Sequence, residues 1–482
     1  MPDPAIMKHV LLLVLGLLGV SSCTDDFEAI NTNENAPSTV QNELLLRQVL
    51  YGYGDKMSYE AFVAGNLLSQ HFAMIDFNLL DRHALSSPQE GGNPWDVLYT
   101  ALRDNETILQ QSRTNPAAAV YEGPALVMKA YLTMNLTDIF GDVPYFEAVQ
   151  GRTEGIVTPA YDAQEDIYLA PGGILDNLRQ AVEVMESYSG AIRLSGDILY
   201  DGDLAGWTRF ANSLRIKALV RISGRADVAA ELAERYTAGD YIGSPEQDAT
   251  FDFAAGPPNS FAFATARVGI FNVFLMSLTA ENIFAGLDDP RVAVLYRPAA
   301  NTGTFEGIIN GIDAATAIVP DDYARPGTIW RENTGALDFN YMTSWETNLL
   351  LAEASLKGYI DADAGALYET GVREAFAYWM TELPDDYLTN GPAAWNAGDG
   401  LRQIITQKWV ASIGNAYEGW IEWRRTGYPE LMPVSASLNG GLYPVRFPYP
   451  ADEQALNFEN YRGAAEATDG NSINVPVWWD VD

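Results

Sequence analysis

Residues 125–145 read ALVMKAYLTMNLTDIFGDVPY, and the way this run ends sets the reading of the whole chain. From Ala125 to Phe140 apolar side chains recur at helical spacing. Gly141 can then take a left-handed conformation, Asp142 offers a carboxylate to turn amides, and Pro144 forbids the helix from restarting. A helix closed by a rigid turn is the result. The same spacing appears on either side. Upstream, Leu44 to Leu50 and Phe62 to Phe72 read as a first helical pair broken around Gly52 and Gly54, and Pro94 opens a helix carrying Trp95, Leu98, Leu102, Ile108 and Leu109. Downstream, helical patterns run over 162–188, 207–223, 226–236, 341–357, 363–380, 401–413 and 417–425. Sustained alternation of period two is scarce. A mainly α fold with few short strands follows, its helix pairs of a length that suits an α-solenoid, although no repeat of fixed period is visible.

Two regions interrupt the helices. Between 239 and 340 the texture turns to glycine, proline, asparagine and short aromatic runs such as Thr250-Phe251-Asp252-Phe253, the mark of a loop-rich insertion. After Pro429 the chain is irregular, and its proline density, as in LYPVRFPYP at 442–450, argues for extended backbone. A length of 482 residues would allow about three domains. The pattern instead gives one body over 41–482: a helical scaffold at 41–238 and 341–428, the insertion at 239–340 and the irregular segment at 429–482.

Composition removes several functions. The formal charge is −35, which opposes binding to nucleic acid or to an anionic lipid surface, while 48% hydrophobic residues require a folded body beneath that acidic skin. One cysteine rules out an intrachain disulfide framework. Three histidines, two of them His71 and His83, match no zinc-binding spacing, so neither a metal nor another cofactor is expected.

The N-terminus accounts for the cysteine. VLLLVLGLLGV at 10–20 is too short to span a bilayer and suits the core of a signal peptide, and Met7-Lys8-His9 makes a better basic start than Met1. Val20-Ser21-Ser22-Cys23 resembles a bacterial lipobox, which assigns 1–22 to a lipoprotein signal peptide and Cys23 to lipidation. Thr24-Asp25-Asp26-Phe27 looks like the acidic surface-export signal of Bacteroides-type lipoproteins, and NTNENAPS at 31–38 places a polar tether over 23–40.

Five stretches in order carry a resemblance. They are Leu136 to Tyr145; Asp197 to Asp203 leading into Trp207, Phe210 to Ile216 and Arg221-Ile222-Ser223; Leu349-Leu350-Leu351-Ala352-Glu353-Ala354 with Gly358; Gln407-Lys408-Trp409 before Trp420 to Pro429; and Arg446-Phe447-Pro448-Tyr449-Pro450 with Glu453 and Asn457. Together, behind a lipobox, they resemble the SusD/RagB family of outer-membrane nutrient-binding lipoproteins, in its SusD-like subgroup. The resemblance implies a tetratricopeptide-like helical scaffold and a lipid-anchored protein on the outer membrane facing the exterior. It further implies capture of oligosaccharides for a SusC-like TonB-dependent transporter, without catalysis. RagB-like capture of peptides is the nearest alternative. A surface glycoside hydrolase would need two carboxylates set across a cleft, and pairs such as Asp138 and Asp142 fall in turn contexts instead.

Each motif also has a structural reading. Asp203 caps the helix of Trp207; Glu353 pairs with a buried arginine or caps a neighbouring helix, with a catalytic acid as the alternative; and Arg424 and Arg425 stack and bridge carboxylates between helices, with a ligand contact as the alternative. Asp197, Asp201 and Asp203 lack the liganding pattern of an EF-hand.

Sugar capture asks for exposed aromatic planes with polar side chains nearby. FAMIDFNLLDR at 72–82 supplies Asp76, Phe77, Asn78, Asp81 and Arg82, in the region where relatives often place binding residues, and Trp95 follows. Tyr323, Arg325, Trp330 and Arg331 form a second cluster in the insertion, and Trp395 sits in a glycine-rich loop.

Overall fold

A computed structural model describes residues 41–85, 94–313 and 315–481. The signal peptide, Cys23 and the tether lie outside the described residues. The scaffold begins with a continuous helical run from Asn42–Arg47 to Asn66–Leu68 (α1), in which Gln48–Gly52 and Ala61–Gly65 are π-helical turns. Gly52 and Gly54 do not break it. They permit close approach instead: a Cβ on Gly54 would sit 2.6 Å from the Phe251 ring, and one on Gly65 would sit 2.0 Å from the Ala416 carbonyl oxygen. Gly54 lies just after the first π-turn and Gly65 closes the second.

The remaining long helices are α2 (Pro94–Thr114), α3 (Glu122–Phe140), α4 (Ile174–Ser187), α5 (Leu204–Ile222), α6 (Ala229–Ala238), α7 (Leu278–Leu287), α8 (Ser344–Leu356), α9 (Ala364–Tyr378), α10 (Gly400–Ala411), α11 (Glu418–Thr426) and α12 (Phe458–Ala467), the last of them in the segment after Pro429 that its prolines mark as irregular but that turns helical beyond Pro450. Successive helices pack as neighbours, α2 on α3, α3 on α4, α4 on α5 and α8 on α9, while α5 on α8 closes the scaffold across the insertion. α3 and α8 are buried nearly all round, as their apolar composition demands. The fold is thus mainly α and helix-paired, with few short strands.

Two expected helices are cut differently. The pattern over 162–188 divides into Gln164–Leu169 and α4, because Pro171, Gly172 and Gly173 fall between them. Tyr341 belongs to a strand, and α8 starts after it with Thr343 as its cap. The strands β1 (Phe72–Met74), β2 (Val143–Pro144), β3 (Tyr161–Asp162), β4 (Ala249–Asp252), β5 (Phe274–Met276), β6 (Tyr296–Arg297), β7 (Arg325–Pro326) and β8 (Asp338–Met342) form antiparallel pairs only: β1 with β5, β2 with β3, β4 with β8 and β6 with β7.

The motif turns behave as local chemistry requires. Gly141 ends α3 at φ 80° and ψ −127°, outside the left-handed helical region and open only to glycine. Asp142 accepts from the Gln164 amide at 2.8 Å, a partner in the next helix rather than in its own turn. Asp203 caps α5 through the Ala205 amide at 3.0 Å. Asp197 spends its oxygens on the Leu199 and Gly202 amides and on Trp207 Nε1, each at 2.9 Å.

Where α3, α5, α8, α10 and α11 meet, the core is ionic. Lys217 bridges Glu346 at 2.8 Å and Glu418 at 3.0 Å; Arg221 reaches Glu418 at 2.9 Å; Lys408 lies 3.3 Å from Glu422. Arg425 holds Glu353 bidentately, both bonds at 2.6 Å, and Glu422 at 2.7 Å. Arg424 lies 3.8 Å over the Trp420 ring and donates to the Asp138 carbonyl at 2.6 Å. Burial alone would raise the Glu418 carboxyl, but Arg221, Lys217 and Lys408 overcome it and hold the group down at about 2.

Candidate functional site

β1 organises the loop-rich side. Phe72 faces Met276 and Met74 faces Phe274, and the Ile75 amide extends the ladder to the Val273 carbonyl at 3.0 Å. The Met276 amide donates to the Ala324 carbonyl at 2.8 Å, and the Ile308 amide donates to the Met276 carbonyl at 2.9 Å. Segments around 75, 270, 310 and 323, far apart in sequence, are thereby neighbours.

The sequence-predicted loop 72–82 divides into a clamp and a tip. Asp81 is buried and accepts from the Met74 amide at 3.1 Å, Asn310 Nδ2 at 2.6 Å and the Gly311 amide at 2.7 Å. Burial pushes its carboxyl up to about 6 against the pull of those donors. Asn78, also buried, donates to the Ile312 carbonyl at 2.8 Å. Arg82, half-buried, donates to the Ala436 carbonyl at 2.8 Å and lies 3.9 Å from Asp313. These three side chains hold the loop.

Asp76 and Phe77 form the tip. Asp76 accepts from the Phe77 amide at 2.9 Å. Phe77 takes φ 52°, a left-handed backbone that is costly for a bulky side chain, and its ring is 81% exposed. An exposed aromatic ring on strained backbone is a functional pointer. The ring stands beside a groove of about 600 Å³, whose floor is Val63, Met74, Ile270, Val273 and Phe274 and whose rim carries Tyr59, Asp76, Arg267 and Gly269. Tyr59 lies parallel to Phe263 with ring centroids 5.1 Å apart, which fixes that rim.

Tyr323 sits in a neighbouring cluster with Ile75, Ile309 and Ile318 around Ala73 and Leu275, half-buried. The tryptophans serve packing. Trp330 is 2% exposed, donates to the Leu295 carbonyl at 2.9 Å and lies against Phe62. Trp95 is 6% exposed, edge-on to Phe140 at 4.9 Å. Trp395 is half-buried against Tyr368 at 5.1 Å, in space left by Gly365 and Gly400. Arg325 donates to the Asn272 carbonyl at 3.2 Å and Arg331 to the Phe263 carbonyl at 2.5 Å. Tyr59, Arg267 and Ile270 carried no signal in the sequence: the pairing of β1 with β5 brings the segment of Arg267 and Ile270 to Phe77, and Tyr59 reaches the groove from α1.

A second cavity, of about 590 Å³, lies between His83, Phe140, Tyr449 and Asn471. Its asparagines are engaged with each other and with backbone: Asn471 accepts from the Tyr449 amide at 2.8 Å and donates to the Tyr449 carbonyl at 3.0 Å, and Asn439 pairs with Asn474. Burial lowers His83 to about 4 and His71 to about 3, so both rings are neutral near pH 7. Among the described residues no three His, Cys, Asp or Glu side chains converge as metal ligands.

Residues 34–450 match the sequence profile of the SusD-like family, described as starch-binding and associating with the outer membrane. The chain belongs to the SusD-like family. Solved structures agree in fold. A chitin-binding protein superposes with a TM-score of 0.77 at 24% identity, covering 92% of this chain and 99% of its own. A SusD homologue from Bacteroides fragilis gives 0.77 at 23% identity, with 92% and 99% covered. A chitin-binding SusD homologue from Flavobacterium johnsoniae gives 0.76 at 22%, with 91% and 99% covered. No curated protein matches the chain. SusD-like proteins are carbohydrate-binding, outer-membrane-associated proteins, and among the described residues no helix is long and apolar enough to cross a membrane.

Proposed function

We propose that this SusD-like protein is a lipoprotein, anchored through Cys23 on the outer face of the outer membrane, that binds oligosaccharides and passes them unaltered to a SusC-like TonB-dependent transporter. One observation carries the binding site: the exposed Phe77 ring, held on left-handed backbone at the edge of a groove. A flat aromatic face with a carboxylate and a guanidinium nearby matches the apolar face and polar edge of a pyranose. The family's starch-binding description and the chitin-binding structural neighbours support the same class of ligand.

A non-catalytic role fits the placement of the acids that stood as catalytic candidates. Asp138 and Glu353 are buried in the ionic core, with Arg221 3.6 Å from Asp138 and Arg425 2.6 Å from Glu353. A glycan array with product analysis tests the binding reading. Retention of a sugar ligand without turnover is expected, and turnover abolished by one carboxylate substitution would overturn it. Co-purification with a TonB-dependent transporter encoded nearby tests delivery. The aliphatic groove floor favours one second reading, capture of a peptide through an apolar side chain, and a peptide panel run beside the array separates the two.

A further inference from the structure

We infer that the groove beside Phe77 recognises an N-acylated amino sugar rather than an unsubstituted glucan, an inference that rests on the oligosaccharide reading above. The floor sets the argument. Met74, Ile270 and Val273 present aliphatic surface, and Val63 and Phe274 beneath them are buried. Sugar hydroxyls pressed against such a floor would lose water without gaining partners, which penalises a ligand whose ring carries only hydroxyls. An acyl methyl group has no such loss and gains contact with the same side chains.

The rim supplies what the rest of an amide needs. An N-acyl substituent presents one N–H and one carbonyl oxygen, and the acidic and the basic side chain at the groove have opposite capacities. The Asp76 carboxylate accepts from an N–H, and the exposed Arg267 guanidinium donates to a carbonyl oxygen. Asp76 has an oxygen to spare, since the Phe77 amide occupies Oδ1. Phe77 then offers its ring to the apolar face of the same sugar or the next. Apolar floor, paired rim and aromatic wall thus fit three parts of one residue, within a volume of about 600 Å³ that suits a short oligosaccharide.

The charge of the molecule argues against the simpler basis of selection. With a net −35, the surface would attract a cationic, de-acylated amino sugar from any direction, so binding driven by charge would favour the free amine and weaken with salt. Binding driven by the groove favours the acylated form and is insensitive to salt.

Calorimetry on the detergent-solubilised full-length protein separates these cases with three β-1,4-linked tetramers: cellotetraose, chitotetraose and the fully de-acetylated glucosamine tetramer. The expected result is chitotetraose bound at least 10-fold more tightly than the other two, unchanged between 0.1 and 0.5 M NaCl. Ile270→Asn and Arg267→Ala should each remove most of that preference while circular dichroism and thermal midpoint stay as in the parent. Equal affinity for cellotetraose and chitotetraose overturns the acyl inference and leaves the oligosaccharide reading standing. Tightest binding to the free amine, lost in salt, overturns it in favour of charge capture. Silence with all three sugars, together with binding of a peptide bearing a large apolar side chain, overturns the oligosaccharide reading itself.

Discussion

Phe77 combines two costs that folding alone gives no reason to accept: an apolar ring in water and a left-handed backbone for a residue with a Cβ. Replacing it separates binding from stability. Phe77→Ala should lower affinity for the glycan identified on the array by about 5- to 10-fold, the value of a lost aromatic contact of ~1 kcal/mol. Its thermal midpoint should stay within about 1 °C, because the ring supports no core contact. Phe77→Gly should bind as poorly yet unfold later, by ~1 kcal/mol, since glycine takes φ 52° without strain. Full binding by Phe77→Ala with a lowered midpoint would show the ring to be structural. Asp76 and Phe77 stand out in the sequence as candidates because a polar-aromatic pair in a loop is a local signal. Asn78 and Asp81 share that loop and that polarity, but their partners Ile312, Asn310 and Gly311 lie over two hundred residues away, so their clamping role was not legible.

The helices were legible wherever local composition decided them: α3 from apolar residues at helical spacing and α5 from Asp203, while an acid in an apolar row pointed to a buried arginine for Glu353 without saying that it is Arg425. Glycine misled where its role was tertiary. Gly52 and Gly54 look like breakers in sequence, yet α1 runs through both and needs Gly54, and further on Gly65, to pass Phe251 and the Ala416 carbonyl. Gly65→Ala should therefore destabilise by ~3 kcal/mol or more, read by denaturant unfolding, because a backbone oxygen cannot yield as a side chain can. An unchanged midpoint would mean that the 414–417 turn shifts freely. The β1 clamp has its own pH signature. Asp81 has a folded pKa of about 6, above its unfolded value near 3.8, so the folded loop binds the extra proton between those values. Its contribution is favourable below pH 4 and falls as pH rises through 6. Hydrogen exchange at Ile75 and Gly311, corrected for intrinsic rate, should show less protection at pH 7 than at pH 5, and Asp81→Asn should flatten that difference.

Over the whole molecule the acidic surface and the ionic core respond oppositely to solvent. A charge of −35 spread over the outside repels itself, and added salt screens exposed charges. The pairs among Lys217, Arg221, Lys408, Glu418 and Glu422 are buried, so salt barely reaches them, and their partners must stay ionised for the helices to meet. Glu418 gives the sign. Its folded pKa of about 2 lies below its unfolded value near 4.5, so its stabilisation is complete above pH 4.5 and is lost as pH falls towards 2, up to about 3 kcal/mol from this one group. Thermal unfolding at 0.1 and 1 M NaCl should therefore show a higher midpoint in salt at pH 7. That gain should shrink towards pH 4 as surface carboxylates neutralise and the repulsion fades. Below pH 4 the midpoint should fall at both salt concentrations alike, because the loss is now in the core. Glu418→Gln should unfold more easily at pH 7 by ~3–5 kcal/mol, since Arg221 and Lys217 are left without their shared carboxylate, and its stability should depend less on pH between 4.5 and 2. An acid limb that molar salt abolishes would place the pH sensitivity on the surface and leave the buried pairs with no part in it.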